Sequence, residues 1–153
     1  MDVTSDRRKY LENMSSDPQA LVPVTDWAAL VPELMVSDLT RSLDVYTRLF
    51  GFVVNYTRPG FAYLSLGRVQ WMLEQVRPDN SWLTGPLERP FGRGINFQVQ
   101  TPDVHALYQR LLDIDYPIFV PLKTSRYAEG DVIHEQTEFL VLDPDGYLLR
   151  FTD

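Results

Sequence analysis

The sequence predicts an α+β fold: two β-α-β-β-β modules forming a curled mixed sheet with a concave cavity and helices on its convex side. Three observations predict it. Apolar residues recur at helical spacing twice, Leu39, Leu43, Tyr46 and Phe50 after Asp38, and Val104, Leu107, Tyr108 and Leu111 after Asp103. "VYTRLF" at 45–50 and "LYQRLL" at 107–112 occupy equivalent places about 62 residues apart. Each helical stretch is preceded by one short apolar run and followed by three, so the second half repeats the first.

Residues 1–20 are polar and aperiodic and read as a disordered leader; residues 21–153 read as one domain. "LVPVTDWAAL" reads as an arm that packs either on its own subunit or on a neighbour. Module one spans about 28–76. Its strand "LVPELMV" runs into Ser37-Asp38, where the Asp38 carboxylate is suited to accept orphan amide hydrogens of a first helical turn. Gly51 closes that helix. "FVVNYTR", "FAYLSLG" and "VQWMLEQV" follow as strands, separated by Pro59-Gly60 and Gly67-Arg68. A Pro- and Gly-rich linker occupies 77–93. Module two, 94–153, repeats the order: "INFQVQ", the Asp103-capped helix, a strand at "YPIFV", then "HEQTEFLVL" and "YLLRFT" about an Asp143–Gly146 turn.

Composition sets the outer bounds. The chain is 44% hydrophobic with a formal net charge of -7, which argues against nucleic acid, since phosphate binding needs clustered Lys and Arg. There is no cysteine, hence no disulfide, thiolate nucleophile or Cys-ligated zinc. No apolar run approaches the roughly 20 residues that span a bilayer, and the start has no signal-peptide core, so a cytoplasmic location without a membrane partner is expected.

Alternation sorts each strand into a core side and a cup side. Leu34 and Val36, Ala62, Leu64 and Leu66, Trp71 and Leu73, Ile95, Phe97 and Val99, and Leu149 and Phe151 fall on the core side. Glu33 and Met35, Phe61, Tyr63 and Ser65, Gln70, Met72 and Glu74, Asn96 and Gln98, and Arg150 and Thr152 fall on the other. The cup is therefore polar and aromatic, unlike a plain core.

Three separated motifs, "VPELMVSDLTRSLDVYTRLFGF" (31–52), "WMLEQ" (71–75) and "EFLVLDPDGYLLRF" (138–151), resemble the vicinal-oxygen-chelate superfamily of glyoxalase I, extradiol dioxygenases and bleomycin-resistance proteins. The bleomycin-resistance branch looks nearest. Metal-using members of that superfamily place His, Gln or Glu at one position in each of four cup-facing strands. Carried over, those positions fall on or near Val31, Met72 (or Glu74), Gly94 and Arg150. A guanidinium repels a divalent cation, and His105 and His134 lie elsewhere, so no metal and no cofactor are expected. Arg150 is expected to pair with a cup acid such as Glu74 or to hold a ligand.

The resemblance implies a homodimer that sequesters a cationic, aromatic antibiotic in a crevice lined by both subunits. Such a site needs aromatic faces and negative potential. The ligand-binding candidates are Phe61 and Tyr63 in the cup, Trp82 and Tyr127 in two long loops, the acids Glu33, Glu74 and Glu138, the amides Asn96 and Gln98, and Arg150. No catalytic residue is assigned: Ser and Thr lack a cup histidine as base, and a Glu33/Glu74 acid–base pair is the weaker reading. Two rivals stand beside the binder: a divalent-metal glyoxalase- or dioxygenase-like enzyme of the same fold, and a binder of another metabolite.

Overall fold

A computed structural model describes residues 21–79 and 82–153; the expected leader at 1–20 lies outside the described residues. Strand β1 (Glu33–Val36) leads into helix α1 (Leu39–Asp44), which continues as a π-helical turn over Val45–Leu49. Strands β2 (Val53–Arg58), β3 (Phe61–Leu66) and β4 (Val69–Gln75) complete one four-stranded sheet in the order β1-β4-β3-β2. Strand β5 (Asn96–Gln100), helix α2 (Val104–Asp113) and strands β6 (Ile118–Glu129), β7 (Val132–Leu142) and β8 (Leu148–Thr152) repeat the pattern as β5-β8-β7-β6. Each sheet is mixed: β1 runs parallel to β4 and β5 parallel to β8, while the remaining pairs are antiparallel. The helices are few, the sheets are not closed into a barrel, and the fold is α+β.

Both helix starts are built as their sequence dictates. Asp38 accepts from Arg41 N at 3.0 Å and Asp103 from Ala106 N at 2.9 Å, each carboxylate taking an amide the helix cannot satisfy itself. The π-turn was not legible beforehand. Phe50 N bonds Val45 O at 3.1 Å, one residue beyond α-helical spacing, which carries Tyr46 and Phe50 together into the core. Gly51 then leaves the helix at φ +85°, a conformation a Cβ disfavours.

One apolar core joins the two modules. Leu34, Val36, Leu64, Trp71 and Leu73 of the first sheet pack in the same cluster as Val99, Phe139, Leu149 and Phe151 of the second. Ring contacts bridge the halves, Phe50 to Phe151 at 5.3 Å and Trp71 to Phe97 at 5.8 Å. Polar ties flank that core. Buried Asp145 accepts from Ser37 N, Ser37 Oγ and Arg89 Nη2 at 2.9, 2.6 and 2.7 Å. Asp143 accepts from the Tyr46 hydroxyl at 2.9 Å. Burial is the main reason the Asp143 carboxyl sits above its ordinary range, and hydrogen bonds from Tyr147 N, Tyr46 and Asp145 N partly offset it.

One core assignment fails. Ile95 is 48% exposed, because β5 begins only at Asn96 and Ile95 N is turned back onto Gly92 O beside Gly94 at φ +81°.

Candidate functional site

Strand register lays out the cup face of module one as a grid. One row runs Arg58, Phe61, Glu74, Met35 across β2, β3, β4 and β1; the next runs Tyr56, Tyr63, Met72, Glu33. Two carboxylates thus sit on neighbouring strands beside three aromatic rings. Tyr56 and Tyr63 stack at 5.3 Å with 16° between planes, and the Arg58 guanidinium lies 3.9 Å from the Phe61 centroid. Glu33 hydrogen-bonds Glu74; its carboxyl is raised, first by desolvation and then by that bond and the charge of Glu74, with Arg58 pulling it back. Glu74 also meets Arg77 at 3.3 Å.

Phe61 and Tyr63 face the cup as alternation requires, but both are buried, not open to solvent. Arg58 covers the first. The arm covers the second: Trp27 meets Tyr63 edge-on at 5.0 Å and Tyr56 at 6.2 Å. Gln70 straps the arm down, accepting from Ala28 N at 3.0 Å and from Tyr63 OH at 2.7 Å and donating to Asp26 O at 2.5 Å. Val22 adds backbone bonds to Val54 O (2.9 Å) and from Asn55 Nδ2 (2.6 Å). Within this single chain the arm lies on its own module. Trp27 and Tyr56 were absent from the expected site. Trp27 stood in an arm with no strand parity, and a bulge between Val54 and Tyr56 breaks simple alternation in β2.

On module two, Arg150 does not pair with Glu74. Its Nη2 donates to Gln98 Oε1 at 2.5 Å and its Nη1 lies 3.6 Å from Glu138 Oε2. Register explains this: Gln98 sits opposite Arg150 on β5, while Glu138, opposite Thr152 on β7, is one diagonal away. Glu138 is only 4% exposed and also faces Lys123 Nζ at 3.8 Å, so its charge is committed inside the protein. Glu138 Oε2, Arg150 Nε and Thr152 Oγ1 make no hydrogen bond among the described residues, leaving both donor and acceptor capacity in this floor. Asn96, on the same face of β5, is exposed.

The remaining expectations shift. Tyr127 is not in a loop: β6 extends to Glu129, and Tyr127 pairs with His134 on β7, half-exposed on a two-stranded ribbon that outruns β8. His134 lies within that strand and meets Glu129 at 2.9 Å. Trp82 is in the loop between modules and strongly exposed. The structure thus groups Glu33, Glu74, Phe61 and Tyr63 on one sheet and Asn96, Gln98, Glu138 and Arg150 on the other; it sets Trp82 and Tyr127 apart. The four positions at which metal-using relatives carry ligands do not fit a metal: among the described residues no group of three His, Cys, Asp or Glu converges, and Arg150 is tied to Glu138 and Gln98.

Paired β-α-β-β-β modules built on two mixed four-stranded sheets are a glyoxalase-type architecture. A sequence profile of the Glyoxalase/Bleomycin resistance protein/Dioxygenase superfamily matches residues 26–151, and the chain belongs to that superfamily. Bleomycin resistance proteins of Geobacillus stearothermophilus and Staphylococcus aureus are each 27% identical to it over 131 residues, covering 79% of this chain and 92% of theirs. Among solved structures, TioX from Micromonospora sp. ML1 aligns with a TM-score of 0.62 at 22% identity, covering 82% of this chain and 98% of that one. A superfamily member from Nocardioides aligns at 0.60 with 18% identity, covering 96% and 91%. These two likenesses concern the fold.

Proposed function

We propose that the protein is a binding protein that sequesters a cationic, aromatic small molecule of the antibiotic type, working without a metal and as a homodimer. The observation that carries the reading is Arg58. Its guanidinium rests on the Phe61 ring at 3.9 Å and acts on the Glu33 carboxyl next to Glu74, so the face already holds a cation against an aromatic surface flanked by acids. Cation–π contact and local negative charge are what a cationic aromatic guest needs. The bleomycin resistance relatives support the same class. The dimer is supported by the ribbon of β6 and β7, which outruns its sheet and exposes Val132, Ile133 and Tyr127, since a bare two-stranded ribbon is marginal without cover. A cytoplasmic location belongs to the same proposal.

Titration calorimetry with bleomycin tests the reading, at low and high salt and beside Ni(II), Zn(II) and Mn(II). Saturable drug binding that weakens with salt is expected, and Arg58→Gln, which frees the Phe61 face, tightens it. Stoichiometric metal binding with turnover of a thiol adduct, or indifference to cationic aromatic drugs beside affinity for a neutral aromatic metabolite, would overturn it.

A further inference from the structure

A cleft of about 360 Å³ lies outside the cup, where α1 meets the entry of β6 and the exit of β7, and it shares no residue with the binding faces described above. That volume falls in the range of roughly 300–1,000 Å³ typical of small-molecule sites. Its walls are mainly apolar, with Val45 from the π-turn and Ile118 and Phe119 from β6, and the Phe119 ring is 58% exposed. A large ring left in water beside a concave surface is worth covering.

The side-chain acceptors that line the cleft are already engaged. The Asp143 carboxylate is spent: Oδ1 accepts from Asp145 N and Tyr147 N, both at 2.9 Å, and Oδ2 from Tyr46 OH at 2.9 Å. The Tyr116 hydroxyl is spent on Leu142 O at 2.7 Å. Arg41 is the cation of the lining, and its guanidinium makes no ion pair or hydrogen bond among the described residues. Three other arginines behave otherwise: Arg48 pairs with Asp44 at 2.9 Å, Arg89 with Asp145 at 2.7 Å, and Arg110 bonds Leu49 O at 2.7 Å. Arg41 lines the cleft together with Tyr116, and its charge pulls the Tyr116 hydroxyl down against a stronger upward push from burial and Asp143.

We propose that this cleft is a second binding site, for a small carboxylate with an apolar body. The body lies against Val45, Ile118 and Phe119, and the carboxylate takes the planar fork of Arg41, whose geometry matches two parallel N–H···O bonds. A single guanidinium suits one negative charge; a phosphate dianion would leave charge uncompensated beside Asp143. The site is independent of the cup, so its guest need not be the sequestered molecule.

The test is titration of the full chain with 3-phenylpropionate, followed by calorimetry and by methyl chemical shifts, with the isosteric neutral 3-phenylpropanamide as control. Saturable binding of the acid is expected in the micromolar-to-millimolar range, with shifts confined to Val45, Ile118 and Leu142, and much weaker binding of the amide. Arg41→Gln, on an exposed side chain that the fold does not use, should weaken the acid about tenfold, the loss of one charge-assisted contact. Phe119→Ser should weaken acid and amide alike, and Glu33→Gln should leave both unchanged. No saturation, equal affinity for the amide, indifference to Arg41→Gln, or shifts at Met35 and Met72 in the cup would each overturn the proposal.

Discussion

Replacing Arg150 by leucine tests the polar floor of module two directly. Glu138 is 4% exposed, and its nearby cations are Arg150 at 3.6 Å and Lys123 at 3.8 Å. Removing one partner of a fully buried pair costs about 3–5 kcal/mol, because a desolvated charge is left behind. Two features reduce that here: the Arg150 side chain is 31% exposed, and Lys123 remains. The expected cost is therefore about 2 kcal/mol. For a chain of this size that corresponds to a fall in Tm of about 4–8 °C. Urea unfolding should show a lower midpoint at unchanged slope. A second variant, Glu138→Leu with Arg150→Leu, removes both charges and should recover most of the loss. Coupling of about 1 kcal/mol or more in the double-mutant cycle is expected. An Arg150→Leu protein within about 0.5 kcal/mol of the parent, or a double variant whose losses simply add, would refute the claim that Arg150 serves to neutralise Glu138.

Glu33 makes stability depend on pH. Its carboxyl is raised in the folded chain, so the folded state holds that proton more tightly than the unfolded one, and the contribution is present below the ordinary carboxylate range and lost as pH rises through the raised value. Glu33→Gln should flatten Tm against pH across that window and gain on the parent above it; parallel curves would contradict the raised Glu33 carboxyl that burial and Glu74 produce. Gly146 stands at φ +91°, where an added Cβ would meet Pro90 Cα at 2.6 Å. Gly146→Ala should cost about 2–4 kcal/mol in urea unfolding, against about 1 kcal/mol for Gly67→Ala, whose Cβ meets nothing within 4 Å. Equal costs at the two glycines would show that close approach of the Pro90 segment is not what Gly146 secures.

What the sequence determined by itself was everything governed by short-range periodicity. Asp38 and Asp103 announced helix starts because a carboxylate three residues before an amide is a local device, and both make that bond. Alternation sorted Leu34, Ala62, Leu64, Leu73, Val99 and Phe151 into the core because the pleat has period two whatever the partner strand. The motifs around 31–52, 71–75 and 138–151 pointed to the superfamily that the profile confirms. Alternation also placed Glu33 and Glu74 on one face without revealing that they touch.

Partners across strands were decided by the tertiary structure alone. Arg150 finds Glu138 and Gln98, not Glu74, because register is set by how whole strands slide against one another, and no single strand encodes it. The same holds for Trp27 closing over Tyr56 and Tyr63, which depends on Gln70 reaching across to the arm. Tyr127 moved from loop to ribbon because Ser125, Arg126 and Tyr127 gain strand partners only when Gln136, Glu135 and His134 return beside them. Which polar side chains are buried, and against what, is a property of distant segments meeting; chain-local chemistry names the groups, and packing chooses their company.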